Sequence, residues 1–237
     1  MSQKNSKYLN MSPPDNYKLS ASILASNFSN ISKDIKKLKY YGCNEIHYDV
    51  MDGNFVDEIS MGPVILESIK DLIDLPIEIH LMVSDPEKNI EQFSKLNVQT
   101  ITFHYESTKN HYSLINLIKS KGIKVGVAVN PSTEIEKLYD FIEKIDRVLV
   151  MSVNPGFSGQ KFNPNTPKKI KMLKDYLDNL DLTKNIDICV DGGINNSNIS
   201  KCKDAGANVF VSGSSIFWNG NIKSNIMSLM SSLENKK

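Results

Sequence analysis

The chain has 237 residues, of which 40% are hydrophobic and 23% are charged, as is ordinary for a soluble globular protein. This length allows one large domain or two small ones. The formal net charge of +1 excludes a general electrostatic attraction to nucleic acid or to an anionic membrane, and no apolar run approaches the roughly 20 residues of a membrane-spanning helix.

The N-terminal segment, residues 1–16, is polar and lacks the apolar core of a secretory signal peptide. It also contains no arginine, which argues against a mitochondrial leader. We therefore expect a flexible extension over 1–16, followed by one domain over 17–237. The cysteines, Cys43, Cys189 and Cys202, are an odd number and lie far apart, which favours reduced thiols in a cytoplasmic protein over a disulfide framework.

From residue 17 onward, a short apolar segment, a polar turn and about ten to fifteen residues with helical spacing follow one another repeatedly. The predicted strands are 17–24, 45–51, 76–83, 99–105, 123–130, 147–153, 186–191 and 208–213. Helix starts are expected at Asp85-Pro86 and Thr166-Pro167, where a capping residue precedes a proline. Glycines that suit the left-handed end of a helix are Gly42, Gly122 and Gly206. Eight alternating units predict one parallel sheet, either open or closed into a barrel.

Side-chain alternation along the predicted strands decides between an open sheet and a closed barrel. On the strand 76–83, the aliphatic Ile77, Ile79 and Leu81 alternate with Glu78, His80 and Met82. An open parallel sheet is covered by helices on both faces, and both should then be apolar. One aliphatic face and one mixed face instead favour an α/β fold made of a single (β/α)8 TIM barrel, with the aliphatic set facing outward.

Four ionisable residues of the inward set lie near the carboxyl ends of their strands: His47, Asp49, His80 and Asp191. Each alone has an ordinary explanation, because a single histidine is often a hydrogen-bonded core residue and Asp-Gly often marks a turn. Together they predict a divalent-metal site, since unpaired buried carboxylates are costly. Nitrogen and oxygen ligands suit zinc, Fe(II), manganese or cobalt.

Glycine-rich turns follow the last three strands, in "VNPGFSGQKF", "DGGI" and "VSGSSIF". Such turns can present backbone N–H groups to an anion, and barrels often hold phosphate there. Glycine is also common in these turns for purely conformational reasons. No dinucleotide-binding or P-loop glycine pattern occurs, which lowers the nucleotide interpretations. Three inward methionines, Met51, Met82 and Met151, either fill the core or form a proton-free lid over a reactive intermediate.

The segments "SILASNF", "HYDVMDGNFV", "HLMVSDPE", "FHYES", "VMSVNPGFSGQKF", "DGGI" and "GSSIF" resemble, in this order, the signature segments of ribulose-phosphate 3-epimerases. The resemblance runs from about Leu19 to Phe217. It implies a ribulose-phosphate-binding (β/α)8 barrel that interconverts D-ribulose 5-phosphate and D-xylulose 5-phosphate in the pentose phosphate pathway. It also implies one divalent metal ion, with zinc favoured, and a homo-oligomer without nucleic-acid or membrane partners.

The resemblance also implies roles for individual residues. The metal ligands are His47, Asp49, His80 and Asp191, and the acid/base pair is Asp49 and Asp191. The substrate contacts are Ser22, His80, Gly156, Phe157, Ser158, Gly159, Gly192, Gly193, Gly213 and Ser214. The methionine cap over the enediolate is formed by Met51, Met82 and Met151. Departures from the family pattern occur at Asn54, Asp57, Glu58, Asn154 and Ser158, of which Ser158 bears most on the phosphate loop.

Three alternatives stay open. The nearest is a 3-epimerase of a related ketose phosphate, such as a six-carbon sugar. A lyase or decarboxylase on a phosphate-binding barrel is more distant, because two inward histidines and paired aspartates suit proton transfer better. A non-catalytic sugar-phosphate-binding barrel would not need all four ionisable residues.

Overall fold

The computed structural model describes residues 16–157 and 159–234. Its strands are β1 (Lys18–Ser22), β2 (Glu45–Met51), β3 (Ile77–Met82), β4 (Thr100–His104), β5 (Lys124–Val129), β6 (Arg147–Met151), β7 (Asp187–Asp191) and β8 (Val209–Ser212). Its α-helices are α1 (Ile31–Tyr41), α2 (Pro63–Ile69), α3 (Pro86–Phe93), α4 (His111–Ser120), α5 (Thr166–Asn179), α6 (Ile199–Ala205), α7 (Ser214–Phe217) and α8 (Ile222–Glu234). Short 3-10 turns lie at Ile23–Ala25, Phe28–Asn30, Lys70–Leu72, Tyr105–Ser107, Ile135–Leu138, Ile142–Lys144 and Trp218–Gly220.

The strands form one closed parallel barrel, in which each strand pairs with the next and β8 pairs with β1. The predicted (β/α)8 barrel and its eight strands are therefore confirmed. Between β5 and β6, only 3-10 turns connect the strands among the described residues. In the same part of the chain, no helix is long and apolar enough to cross a membrane. The extension expected over 1–16 lies, apart from Asn16, outside the described residues.

The helix ends largely follow the local sequence signals. Helix α3 begins at Pro86 directly after Asp85, as predicted. Helix α5 begins at Thr166 with Asn165 at its N-cap, so the assignment of Thr166 as the cap is wrong by one residue. The three expected glycines follow α1, α4 and α6 with positive φ: Gly42 at 102°, Gly122 at 72° and Gly206 at 116°.

The two faces of the barrel wall are packed differently. The outward aliphatic side chains, such as Ile79 and Leu81 of β3, are fully buried beneath the helices. The interior holds a smaller apolar cluster that consists of Ala128, Leu149, Met151, Cys189, Val209 and Val211. The interior leaves no spare space near β4, since a Cβ on Gly126 would lie 2.1 Å from the Thr102 hydroxyl oxygen. Cys43, Cys189 and Cys202 are all buried and free, which agrees with reduced thiols.

A buried charge network fills the amino-terminal end of the barrel. Arg147 donates to Glu45 at 2.7 and 3.0 Å and to Asp187 at 3.0 Å, and its Nη1 lies 3.0 Å from Glu78. Lys18 also binds Asp187, at 2.8 Å. Burial lowers the pKa of Arg147, but the carboxylates of Glu78 and Glu45 outweigh it and raise the pKa above its ordinary value. The network therefore fixes Glu78, which faces the site above.

Candidate active site

Strands β2 and β3 bring three of the predicted ligands together. In a strand, alternate side chains share a face, so His47 and Asp49 both point inward, and the register pairs Asp49 with His80. Asp49 Oδ1 lies 3.1 Å from His47 Nε2 and 3.1 Å from His80 Nδ1. The two imidazole nitrogens are also 3.1 Å apart. Three donor atoms therefore face one point inside the barrel.

The fourth predicted ligand, Asp191, reaches the same point from β7. Its Oδ2 lies 3.9 Å from His47 Nε2, and one donor atom from each of the four residues lies within 4.8 Å of the others. His47, Asp49 and His80 are buried, and Asp191 is partly exposed to the cleft. The four residues singled out in the sequence thus form one cluster at the carboxyl end of the barrel.

A buried carboxylate sets the direction of the His47 ring. His47 Nδ1 lies 2.8 Å from Glu78 Oε2, while Thr102 donates to the other oxygen of Glu78 at 2.6 Å. Burial raises the pKa of Glu78, but Arg147 and His47 hold it well below its usual range. Glu78 is therefore ionised and accepts the Nδ1 proton, so that Nε2 of His47 faces the cluster.

The other ring nitrogen of His80 faces a residue that was not predicted from the sequence. His80 Nε2 lies 2.9 Å from His104 Nε2, and His104 Nδ1 lies 3.3 Å from Glu106 Oε2. Burial lowers the pKa of His104 to about 4. Burial raises the pKa of Glu106, but hydrogen bonds from His104 and Thr133 outweigh the effect of burial and lower the pKa to about 2.

The two aspartates have opposite proton affinities. Burial raises the pKa of Asp49, but the lowering by His47 and His80 is larger, so the pKa of Asp49 lies well below its usual range. Burial raises the pKa of Asp191 to about 7. His47 lowers this pKa, and repulsion from the Asp49 carboxylate raises it. Ser22 donates to Asp49 Oδ2 at 2.7 Å. Asp49 therefore presents one oxygen to the histidines and the other to Ser22.

The donor set fits a divalent cation. An ion with bonds of about 2.0–2.2 Å holds neighbouring donor atoms roughly 2.8–3.6 Å apart, from octahedral to tetrahedral geometry, and the three separations of 3.1 Å lie in this range, whereas Asp191 Oδ2 is farther away at 3.9 Å from His47 Nε2. Burial lowers the pKa of His47, but the carboxylates of Asp49 and Glu78 outweigh this effect and raise the pKa well above its ordinary value, so a positive charge is favoured at this buried position. Two imidazoles and two carboxylates are acceptable to several transition metals, so the residues indicate a divalent site without selecting the metal.

A narrow cleft that is open to solvent lies above this cluster. The predicted site residues on its wall are Ser22, Asp49, Met51, Met82, Met151, Gly156, Phe157, Gly159, Asp191, Gly192, Gly193, Gly213 and Ser214. His47 and His80 lie beneath the wall and are fully buried. Ser158 lies outside the described residues. The structure thus gathers the predicted groups that it describes around one opening.

The glycine turns after β6 and β7 are packed against each other on one side of the cleft. Gly193 has φ of 62°, and a Cβ there would lie 2.8 Å from the carbonyl oxygen of Gln160. Both the backbone conformation and the close approach therefore require glycine at this position. Gln160 in turn donates to the carbonyl oxygens of Asn154 and Phe157, at 2.6 and 3.0 Å. The loop after β6 is thus braced by its own side chain.

The three methionines lie close to the cluster. Met51 and Met82 pack with Val56, next to Leu24 and Phe55, and the register pairs Met51 with Met82. Met151 is paired with Asp191 in the register. All three side chains are buried and touch the cleft. They give it an apolar wall beside the carboxylates.

Sequence reasoning missed the residues behind the ligands, namely His104, Glu106, Glu78 and Arg147. A signal existed for His104, because Thr100, Thr102 and His104 have the same alternation as the inward set of the neighbouring strand. The same holds for Arg147, which shares its parity with Leu149 and Met151. Inward parity marks both side chains as interior, but it neither separates a supporting residue from an ordinary core residue nor identifies its partner.

Comparison with known proteins places the chain in a family. The model of the ribulose-phosphate 3 epimerase family matches residues 18–217. A ribulose-phosphate 3-epimerase of Buchnera aphidicola subsp. Baizongia pistaciae is 44% identical over 220 residues, which cover 92% of this chain and 96% of that relative. The protein of the same name from Bacillus subtilis is 38% identical over 200 residues, covering 84% and 92%. The one from Methanocaldococcus jannaschii is 41% identical over 212 residues, covering 90% and 89%.

Solved structures of low sequence identity share the fold. A 3-hexulose-6-phosphate synthase has a TM-score of 0.67 at 14% identity, with 91% of this chain and 99% of that chain covered. An orotidine 5'-phosphate decarboxylase from Pyrococcus horikoshii has a TM-score of 0.65 at 16% identity, with 92% and 100% covered. These likenesses show the barrel alone. On the evidence of its family match and its relatives, the chain belongs to the ribulose-phosphate 3-epimerase family.

Proposed function

We propose that this chain is an isomerase that interconverts D-ribulose 5-phosphate and D-xylulose 5-phosphate by epimerisation at C3, a reaction of the pentose phosphate pathway. Membership of the family supports the reaction. The observation that carries the chemistry is that Asp49 and Asp191 reach one cleft from separate strands, β2 and β7. The cleft between them is open to a small molecule.

Inversion at a carbon next to a ketone needs a proton removed from one face and another delivered to the opposite face. Asp49 and Asp191 are the acid/base pair of the proposal. One carboxylate accepts the C3 proton while the other, protonated, donates to the resulting planar enediolate, and the roles reverse with direction. A positioned acid or base typically accelerates a reaction by about 10²–10⁴-fold.

One divalent ion completes the proposed site, with His47, Asp49, His80 and Asp191 as its ligands. When bound, it would polarise the ketone and the neighbouring hydroxyl and so stabilise negative charge on the sugar. Zinc is the ion we propose, and the same donors would accept Fe(II), manganese or cobalt. The support from this chain is that His47 Nε2 and Asp49 Oδ1 face one point, while Nδ1–H of His47 is held by Glu78 at 2.8 Å.

The remaining wall of the cleft suits a sugar phosphate. Backbone N–H groups in the turns around Gly156–Gly159, Gly192-Gly193 and Gly213-Ser214 are proposed to bind the phosphate. Phe157, which is 61% exposed, stands at the opening. Met51, Met82 and Met151 are proposed to cover the enediolate with a surface that carries no exchangeable proton. Ser22 and His80 are proposed to contact the sugar beside Asp49.

The proposal is tested by incubating the protein with D-ribulose 5-phosphate in deuterium oxide. Formation of D-xylulose 5-phosphate with deuterium at C3 and an intact carbon chain is expected. The activity should disappear after chelation and return when zinc is added back. Cleavage of a carbon–carbon bond would indicate a lyase, and faster turnover of a six-carbon ketose phosphate would indicate a different 3-epimerase. Ligand-induced stabilisation without turnover would indicate a binding protein.

Asp191→Asn separates the two proton transfers. With metal bound, it should lower epimerisation by at least about 10²-fold, while one-sided exchange of the C3 proton can persist. The control is Asp175→Asn, on the exposed face of α5, which should leave turnover unchanged. Normal turnover of Asp191→Asn would exclude Asp191 as an acid/base.

The chain's organisation forms the last part of the proposal. We place the catalytic domain at 17–237 and a flexible extension at 1–16, in a cytoplasmic homo-oligomer. The three buried free cysteines are compatible with a reducing compartment. Equilibrium sedimentation would test the oligomer, and removal of residues 1–16 without loss of turnover would support the domain boundary.

A further inference from the structure

His80 has an ionisable neighbour at each of its ring nitrogens. Its Nδ1 lies 3.1 Å from Asp49 Oδ1, inside the cluster. Its Nε2 points away from the cleft and lies 2.9 Å from His104 Nε2. His104 is fully buried, and its own Nδ1 lies 3.3 Å from Glu106 Oε2. A continuous row of polar contacts therefore runs from the cluster through His80 and His104 to Glu106.

The chemistry of these groups fixes which atom donates at each contact. An ionised carboxylate only accepts hydrogen bonds, so His104 Nδ1 carries the proton that faces Glu106. The neutral tautomer of His104 with its proton on Nδ1 has its lone pair on Nε2, which faces His80 Nε2 across 2.9 Å. The proton between the two rings therefore belongs to His80 Nε2. This tautomer is the one that binds a divalent ion, because the single proton of the neutral ring is then on Nε2 and the lone pair of Nδ1 is left for the ion, in place of the hydrogen bond to Asp49.

The far end of this row is held in place by two neighbouring segments. Glu106 accepts a hydrogen bond of 2.9 Å from the backbone N–H of Asn130, which follows β5, and another from the hydroxyl of Thr133. The ring of Phe55, from the loop after β2, packs against His104 with centroids 4.9 Å apart. His104 thus has no freedom to turn its ring without breaking these contacts.

The two histidines of the cluster are consequently held by different means. His47 is hydrogen-bonded to Glu78, a carboxylate within the barrel that is paired with Arg147. His80 contacts a second imidazole, that of His104, and His104 in turn contacts Glu106. We infer that His104 and Glu106 are positioning residues, which hold His80 with the lone pair of Nδ1 toward the cleft so that it can bind the divalent ion. This inference rests on the proposed function, because it concerns the ion proposed there.

The test measures metal binding directly. Wild-type protein and variants are stripped by chelation, and the dissociation constant for Co²⁺ or Zn²⁺ is measured by competition with a chelator, together with the visible spectrum of the Co²⁺ form. His104→Phe keeps an aromatic ring but removes the acceptor, and should weaken metal binding by about 10–100-fold and alter the Co²⁺ spectrum. His104→Gln, whose amide oxygen can accept from His80 Nε2–H, should recover most of the affinity.

Two further variants complete the design. His111→Gln is the matched control, since His111 lies near the same end of β4 but hydrogen-bonds the Tyr105 carbonyl, at 2.9 Å, and stacks on the rings of Tyr105 and Phe141, away from the cluster. It should bind metal as the wild type does. Glu106→Leu changes a partly exposed position and should cause a smaller loss in the same direction as His104→Phe. It keeps the inference testable if His104→Phe does not fold.

The outcomes separate the two proposals. If the wild type binds a divalent ion and both His104→Phe and Glu106→Leu bind it equally well, with an unchanged Co²⁺ spectrum, the inference is wrong and the proposed function stands. If the variants only lower the melting temperature of the metal-free protein, leaving the metal-induced rise intact, His104 supports the fold alone and the inference is again wrong. A wild type that binds no divalent ion would overturn both proposals.

Discussion

Replacing Arg147 with methionine would test the charge network beneath the site. Arg147 is 4% exposed and forms ion pairs with Glu45, Glu78 and Asp187, each within 3.0 Å. Methionine is similar in length but leaves Glu45 and Glu78 buried without their cation. Removing one partner of a buried ion pair costs about 3–5 kcal/mol. We therefore expect the free energy of unfolding to fall by about this much, a large part of the roughly 5–15 kcal/mol that a domain possesses.

Urea-induced unfolding of the metal-free protein at pH 7 provides the assay, with circular dichroism as the signal. The matched control is Lys171→Met, which breaks an exposed ion pair with Asp175 on α5 and should cost less than about 1 kcal/mol. Equal slopes against urea concentration for both variants would show that the unfolded state is unchanged.

The dependence on pH gives the same prediction a second signature. Burial raises the pKa of Glu78, but Arg147 and His47 lower it below its ordinary value of 4.5 in the folded protein. A depressed pKa stabilises the fold above pH 4.5, and this stabilisation is lost as the pH falls further. Without Arg147 the pKa of Glu78 should rise, so the deficit of the variant should shrink toward acid pH. A loss under about 1 kcal/mol at pH 7, or a deficit that does not change with pH, would refute the role assigned to the network.

Further predictions address the barrel interior, the cleft wall and acid stability. Gly126→Ala places a Cβ 2.1 Å from the Thr102 hydroxyl oxygen and should destabilise the protein by about 1–3 kcal/mol in urea unfolding, whereas Gly62→Ala, with no atom within 4 Å, should be close to neutral. Met51→Leu should retain turnover near that of the wild type, whereas Met51→Thr should lower it by exposing the intermediate to a hydroxyl proton; equal turnover of the two variants would contradict the proposed cap. The pKa of Glu106 is lowered from 4.5 to about 2, so its contribution to stability is complete above pH 4.5 and is lost as the pH falls toward 2. Glu106→Gln removes this titration, and stability should therefore fall less steeply between pH 4.5 and pH 2. Identical acid profiles for Glu106→Gln and the wild type would contradict this assignment.

The barrel and the central cluster could be predicted from the sequence because both depend on strand alternation. In β2 and β3, the period of two separates an aliphatic face from a face that carries His47, Asp49 and His80, and this requires no knowledge of distant parts of the chain. The start of α5 was missed by one residue, since Asn165 and Thr166 are both good capping residues and only the backbone decides between them.

The supporting residues could not be predicted because their partners are fixed by register. Arg147 and Glu45 are separated by 102 residues, and nothing local to either indicates that they meet. His104 follows the inward parity of β4, yet a lone inward histidine is most often an ordinary core residue. Its pairing with His80 becomes visible only when the barrel brings the ends of β3 and β4 together.

The buried charge network around Arg147 affects how the chain can fold during its synthesis. Glu45 and Glu78 leave the ribosome well before Arg147, so a partly synthesised chain carries carboxylates whose cationic partner does not yet exist. Packing them early would bury unmatched charge, which disfavours compact intermediates made from the first half of the barrel. Late folding after the sixth strand, which carries Arg147, has emerged would avoid that penalty, and the growing chain should remain sensitive to protease until then.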